Sequence, residues 1–227
     1  MQRELETQYR LVTNLLAQAK ATAADPASVR QLETHISHVL LIDQYAYKIK
    51  KALDLGFLDF RGLARRRHYC QEEIRLNRRL APQVYLETVP ITGTVDQPHI
   101  RAGPGPTLEY AVCMRRFRQQ DLFDNLASAN RLVAAQIVDV ADQLVVFHRH
   151  AEVRQAEGRG GAFDVTEAAL ENFAHLNDPS NARSLTGELD RLEDWVRDAA
   201  QALTPVFDKR LADGFVRDCH GDVHCGN

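Results

Sequence analysis

A β-hairpin is indicated by residues 36–50, which read ISHVLLIDQYAYKIK. Its first half, Ile36–Ile42, is rich in leucine and β-branched residues, which favour strands, and the polar pair that follows can turn the chain. Its second half alternates in the manner of a strand that turns one face to a core. Lys48 and Lys50 are therefore expected on the same face of the second strand.

The residues on either side of this hairpin predict a small α+β unit. An amphipathic helix is expected at 2–20, and a strongly basic helix at 63–80, ended by the proline that follows it. Two more strands are expected at 84–92 and 108–114, separated by a turn rich in glycine and proline at 102–106. This order predicts a small antiparallel sheet with one helix packed across it.

The second half of the chain has helical patterns. Apolar residues between Leu132 and Phe147 form a broad face, which predicts a central buried helix. Further helices are expected at 166–176 and 185–203, with Pro205 stopping the second of them. A β-rich half joined to a helical half predicts a bilobal α+β fold, with a cleft between the lobes as the natural place for a ligand.

The same patterns give the expected limits of the two lobes. The N-terminal lobe is expected to span residues 1–113, and a short hinge residues 114–118. The helical C-terminal lobe is then expected to span residues 119–227.

Composition excludes several classes of protein. The chain has 227 residues, of which 44% are apolar and 26% charged, and its formal net charge is -3. Such a charge gives no general attraction to nucleic acid, and the basic run Arg65–Arg67 is predicted to be a solvated helix face. No signal peptide or membrane span is indicated. For these reasons, neither nucleic acid nor a membrane is expected as a partner. Four scattered cysteines form no C-x-x-C pair, so neither a disulfide framework nor a zinc ribbon is expected, and the cytoplasm is the expected compartment.

The strongest signal for chemistry is the run HGDVHCGN at residues 220–227. Phosphoryl transfer needs an acceptor hydroxyl to be held and deprotonated, and cations to neutralise the phosphate oxygens. An aspartate followed five residues later by an asparagine can supply both a base and a metal ligand. The spacing from Asp222 to Asn227 equals that of the H-R-D-L-x-x-x-N catalytic loop.

This run resembles the catalytic loop of aminoglycoside phosphotransferases and related small-molecule kinases. More narrowly, the chain resembles a bacterial family in which such a domain precedes a P-loop ATP-binding domain. The motifs that carry the resemblance stand at Tyr47–Lys51, Leu55–Phe60, Leu76–Pro82 and Met114–Phe117. The resemblance covers residues 33–227 and implies a protein-kinase-like bilobal fold.

By this resemblance, Lys48 is the lysine that contacts the nucleotide phosphates. Spacing alone does not separate it from Lys50; the family pattern favours Lys48. Its carboxylate partner is expected on the basic helix, where Glu73 shares the apolar face and Glu72 does not. Met114 and Arg115 would lie in the hinge, where backbone groups bind adenine.

The resemblance also implies a reaction. Asp222 would be the base and Asn227 a ligand of Mg²⁺, with ATP as the phosphate donor and a hydroxyl on a small molecule as the acceptor. A second magnesium ligand and the rest of the larger lobe would follow the catalytic loop, so the chain is expected to be an incomplete and inactive part of a longer protein. A P-loop domain is the possible partner further along that protein.

The sequence departs from the kinase pattern before the hairpin. No G-x-G-x-x-G motif precedes it, and residues 33–37 occupy that place. A second hypothesis is therefore a nucleotide-binding pseudokinase module that regulates an attached domain. Two other interpretations also remain open. In the first, Glu73 is a surface partner of Arg78 or Arg79. In the second, a metal cluster is formed by Cys219, His220, His224 and Cys225, although so crowded a set suits a tetrahedral site poorly.

Overall fold

The computed structural model describes residues 2–56, 58–101, 103–154, 161–176 and 186–226. Ala102 of the expected turn, Leu185 at the start of an expected helix, and Asn227 lie outside the described residues. The architecture is α+β, as predicted. The helices are α1 (Gln2–Thr22), α2 (Leu63–Asn77), α3 (Phe123–Ser128), α4 (Ala134–His150), α5 (Ala162–Leu176) and α6 (Thr186–Ala212). The strands are β1 (Arg30–Glu33), β2 (Ser37–Ile42), β3 (Tyr45–Lys50), β4 (Tyr85–Gly93), β5 (Pro98–Ile100) and β6 (Thr107–Arg115).

The described strands form one antiparallel sheet in the order β1-β2-β3-β6-β4-β5. The predicted hairpin is confirmed as β2 and β3, with Val39 opposite Lys48. The sequence analysis missed β1 and β5 because both are short edge strands with little apolar character. β1 contains a single apolar residue, Leu32, and β5 begins at Pro98, which donates no ladder hydrogen bond.

Helices cover both faces of the sheet, rather than one face as predicted. Leu11, Val12 and Leu15 of α1 pack with apolar residues of one face, among them Leu40, Tyr47, Ile49, Val89 and Ile91. On the opposite face, α2 packs through Cys70 and Ile74 against residues that include Leu41, Ala46 and Val112. Strand alternation therefore separates the two cores, and Lys48 and Lys50 fall on the α2 side.

The chain divides into two compact units, one up to Leu132 and the other from Val133 onward. In the second unit α5 packs against α6. Arg217 donates from Nη1 to the carbonyl oxygens of His148 and Arg149 at the end of α4, at 3.3 and 2.8 Å. This contact holds the segment before the predicted catalytic loop to the end of α4.

The prediction that the helix near residues 132–147 is buried was wrong. No residue of α4 is buried, and Val138 and Val146 are 56% and 57% exposed. An apolar helix face predicts that another surface covers it, but the pattern does not show which surface that is. The described residues leave this face uncovered.

The sequence predicted that Pro205 ends its helix, and this prediction was wrong. α6 continues through Pro205 to Ala212. A proline in a helix removes one backbone hydrogen bond, here the one to the carbonyl oxygen of Gln201, and α6 continues without it.

His38 of β2 is fully buried beneath Tyr9 of α1, with ring centroids 4.8 Å apart. Its Nε2 has no hydrogen-bond partner among the described groups. Burial lowers the pKa of the His38 imidazole below its ordinary value, despite the opposing effect of Glu33. The folded protein therefore holds this histidine neutral.

Stability is expected to fall with acidification because of His38. Below its ordinary pKa of 6.5, the unfolded chain binds a proton that the folded chain does not. The free energy of unfolding should decrease as the pH falls from that value, by at most about 1.4 kcal/mol per pH unit for one group. Urea unfolding at a series of pH values measures this dependence. His38→Leu should make the free energy of unfolding less dependent on pH, while His35→Leu, at an exposed histidine, should leave the pH dependence unchanged. An equal slope in His38→Leu would contradict the assignment.

Candidate functional site

Lys48 and Glu73 form an ion pair on the α2 face of the sheet. Lys48 Nζ donates to Glu73 Oε1 at 2.8 Å. Glu73 faces the sheet because it stands on the helix side that buries Cys70 and Ile74. The predicted contact between strand lysine and helix carboxylate is thus present, and its role in nucleotide binding stays a prediction.

Lys50 binds the same carboxylate. Its Nζ donates to Glu73 Oε2 at 2.6 Å and lies 5.0 Å from the centre of the Phe60 ring. The side chains of Lys48, Lys50 and Glu73 are 27%, 6% and 11% exposed. Spacing left the choice between the two lysines open, and the structure uses both. We refer to these three residues as the lysine–glutamate cluster.

The cluster is charged at neutral pH. Burial would raise the pKa of the Glu73 carboxyl, but Lys48 and Lys50 outweigh burial and hold it below its ordinary value. Burial likewise opposes the charge of Lys48, yet the Glu73 carboxylate raises the pKa of that ammonium group. Each partner therefore stabilises the ionised form of the other.

The charged residues near Glu73, on α2 and just after its end, have other partners. Glu72 binds exposed Arg75 at 2.8 Å, on the outer side of the helix. Arg78 and Arg79 donate from Nε to the carbonyl oxygens of Tyr85 and Leu76. Glu73 therefore faces the sheet and does not serve as a surface partner of these arginines.

Met114 and Arg115 lie at the end of β6. The Met114 side chain belongs to the core under α2. The backbone N–H of Arg115 donates to the carbonyl oxygen of Val84, and that of Arg116 to Gln44, both at 2.8 Å. These two donors already have protein partners, and adenine binding at this segment stays a prediction.

The turn between β1 and β2 covers residues 33–37, where the sequence has no glycine-rich motif. The Ser37 N–H donates to the Thr34 hydroxyl at 3.0 Å. Lys51 Nζ donates to the carbonyl oxygen of Thr34 at 2.7 Å and also binds Glu33 at 2.7 Å. Side chains thus close this turn, where a glycine-rich loop would present free backbone N–H groups.

Asp222 lies in an exposed loop of the second compact unit. Gly221, with φ of 78°, takes the left-handed conformation that glycine adopts without strain. The N–H of Asp222 donates to His220 Nδ1 at 3.3 Å, and its side chain is 79% exposed. Lys48 and Glu73 belong to the first unit, so their convergence with Asp222 stays a prediction. Asn227, the predicted magnesium ligand, lies outside the described residues.

A metal centre is not assembled in the part of the chain that the structure describes. No group of three or more histidine, cysteine, aspartate or glutamate side chains is placed to hold an ion there. The cluster of Cys219, His220, His224 and Cys225 is therefore not formed. Binding of Mg²⁺ stays a prediction, because its predicted ligand Asn227 lies outside the described residues.

The basic run contains a residue that the sequence analysis misplaced. Arg66 was expected on a solvated face, yet it is buried. Its Nε donates to both oxygens of Glu109 at 2.9 and 2.8 Å, and its Nη1 donates to Glu4 at 2.8 Å. The signal was present in the spacing, since Arg66 precedes Cys70 and Ile74 by one and two helical repeats of four residues.

The comparisons with known proteins give relatives without an assigned activity. No family model matches the chain, and no solved structure matches it. Uncharacterized proteins of Mycobacterium bovis and Mycobacterium tuberculosis are 29% identical over 194 residues. The alignment covers 84% of this chain and 37% of each relative, so the chain spans little more than a third of their length. Among the described helices, none is long and apolar enough to cross a bilayer.

Proposed function

We propose that this chain has a protein-kinase-like bilobal fold and binds ATP, with Lys48 contacting its phosphates. The proposal rests on the half-buried contact of Lys48 with Glu73. A strand lysine held by a helix carboxylate is the arrangement that kinases use to place the nucleotide phosphates. The confirmed hairpin puts this lysine on the face that α2 covers, where water is largely excluded and charge interactions are strengthened.

We propose further that the reaction is transfer of the γ-phosphate to a hydroxyl on a small molecule. The Asp222 carboxylate would accept the proton of the acceptor hydroxyl, and the Lys48 ammonium would neutralise phosphate oxygens. Asn227 has the kind of oxygen ligand that Mg²⁺ binds, and the metal would screen the charge of the phosphates. Positioning and charge neutralisation would account for most of the rate. We keep the cytoplasm as the proposed compartment, where the four free cysteines would stay reduced.

A nucleotide-binding pseudokinase module is the second candidate. The turn at residues 33–37, closed by Lys51, favours it. Such a turn offers few free backbone N–H donors to the phosphates. Because efficient phosphate transfer benefits from such donors, the turn suits binding better than transfer. Under this candidate the chain binds ATP without transferring its phosphate and regulates an attached domain.

Replacing Lys48 with methionine is expected to weaken ATP binding by about tenfold or more, because a charge-assisted contact to the phosphates is lost. Isothermal titration with ATP and Mg²⁺ measures the change. Lys20→Met, on the exposed side of α1, is the matched control and should bind as the wild type does. No ATP binding by the wild type, or unchanged affinity in Lys48→Met, would contradict the proposal. Binding without any transfer of phosphate would favour the pseudokinase module.

A further inference from the structure

The lysine–glutamate cluster carries an unbalanced charge. Lys48 and Lys50 each bring one positive charge, and Glu73 alone brings a negative charge. The three groups are mostly removed from water, where an uncompensated charge is costly. The cluster therefore has an excess of one positive charge in a place that attracts an anion.

The described residues beside the two lysines in the sheet, and the titratable groups that act on Lys48 and Glu73 from outside the cluster, bring no negative charge to offset this excess. Lys48 lies between Val39 of β2 and Val112 of β6, and Lys50 lies opposite Ser37. Burial raises the pKa of the Cys70 thiol to about 12 and also raises the pKa of the Tyr85 hydroxyl. These neighbours are thus neutral at physiological pH.

The two lysines differ in access to solvent. Lys50 is the less exposed of the two, and its ammonium lies between Glu73 and the Phe60 ring, which also attracts cations. Lys48 is about four times as exposed, so an anion reaches its ammonium group first. Lys50 can keep hold of Glu73 while Lys48, whose ammonium group has three N–H donors, turns to a phosphate oxygen as well.

We propose that Lys50 is a positioning residue, which neutralises and holds Glu73 so that the charge of Lys48 is available to a polyphosphate. This inference deepens the proposed function and rests on it for the choice of a phosphate ligand. Without Lys50, Glu73 and Lys48 would form a neutral pair, and a phosphate would have to compete with the buried carboxylate. Two lysines on one carboxylate remove that competition.

Counting charges gives an ordered set of expected affinities. The wild-type cluster has a net charge of +1, from two lysines and one glutamate. Lys50→Met has zero, Glu73→Gln has +2, and the double variant Lys50→Met/Glu73→Gln has +1 again, from Lys48 alone. Inorganic tripolyphosphate, titrated calorimetrically, is the probe. We expect Lys50→Met to bind about tenfold more weakly or worse, Glu73→Gln to bind more tightly than the wild type, and the double variant to return to within about threefold of the wild type.

Recovery in the double variant separates positioning from a merely structural role. If Lys50 served only to hold the fold together, removing Glu73 as well would not restore binding. Unchanged affinity in Lys50→Met, or a double variant as weak as Lys50→Met, would overturn the inference. Circular dichroism checks folding of each variant. If Lys50→Met does not fold, Glu73→Gln still tests the inference, because weaker binding of tripolyphosphate by Glu73→Gln than by the wild type would contradict the charge count.

Repeating the series with ATP distinguishes this inference from the proposed function. If tripolyphosphate follows the expected order while ATP does not bind, the charge arrangement stands and the nucleotide proposal fails. If ATP binding requires Lys48 and is unaffected in Lys50→Met, the nucleotide proposal stands and the positioning role of Lys50 fails.

Discussion

Replacing Arg66 with methionine is expected to lower the free energy of unfolding by about 3–5 kcal/mol, the usual cost of breaking a buried ion pair from one side. Arg66 and Glu109 are both buried, and the arginine also donates to the carbonyl oxygen of Phe60 at 3.0 Å. Burial already raises the pKa of the Glu109 carboxyl against the opposing effect of Arg66. Without the guanidinium, this carboxylate would lack its main compensation. Urea unfolding followed by circular dichroism measures the loss.

Arg10→Met is the matched control for this experiment. Arg10 binds Asp96 at 2.9 Å, and both side chains are largely exposed. An exposed pair contributes at most about 1 kcal/mol, so this variant should be nearly as stable as the wild type. Adding Glu109→Gln to Arg66→Met should recover part of the loss, because no buried charge is then unpaired. A loss in Arg66→Met no larger than in Arg10→Met would refute the prediction.

The same buried network connects α1 to the helix that carries Glu73. Gln8 of α1 donates from Nε2 to Glu109 and to the carbonyl oxygen of Lys50, both at 2.8 Å. Gln8 Oε1 accepts from the N–H of Ala52 at 3.0 Å. These contacts fix the end of β3 and the start of α2 against α1. The geometry of the lysine–glutamate cluster therefore depends on contacts from the opposite face of the sheet.

In the longer protein to which this chain is expected to belong, replacing Asp222 with asparagine is expected to slow phosphate transfer by about 10²–10⁴-fold, the range for loss of a general base. The amide has nearly the shape of the carboxylate but accepts no proton, so ATP affinity should stay close to that of the wild type. Transfer from γ-labelled ATP to a pool of sugars and alcohols, together with basal hydrolysis, measures the change.

Asp213→Asn provides a control in the same compact unit. Asp213 binds Lys209 near the end of α6 and stands outside the predicted catalytic loop. The Asp213→Asn variant should therefore transfer phosphate at the wild-type rate. Wild-type turnover in Asp222→Asn would remove Asp222 from its proposed role. Equal loss in both variants would point to a general defect of this unit instead.

Local patterns predicted the central part of the sheet and the face on which the candidate site lies. The period of two in β3 separated Lys48 and Lys50 from Tyr47 and Ile49, and the helical period in α2 separated Glu73 from Glu72. Both separations are present in the structure. They follow from local geometry, which neighbouring residues determine. The faces that carry Lys48, Lys50 and Glu73 could therefore be predicted from these periods, whereas the pairing of Lys48 with Glu73 was implied by the family resemblance.

Partners distant in sequence could not be predicted in the same way. The family resemblance favoured one lysine for Glu73, whereas the structure places both on it, one on each carboxylate oxygen. Arg66 meets Glu109, a residue 43 positions away, only because β6 is central in the sheet. The apolar face of α4 predicted burial that the described residues do not provide.

The sequence by itself thus determined which faces the strands and helices turn to a core, because side-chain periodicity is a property of each element alone. It also supplied the spacing of Asp222 and Asn227 that motivates the kinase hypothesis. Only the tertiary structure decided which charges meet, that Arg66 is buried, and that two lysines share one carboxylate. The reason is physical: these contacts depend on the order of strands and the packing of helices, which bring together groups that no local pattern relates.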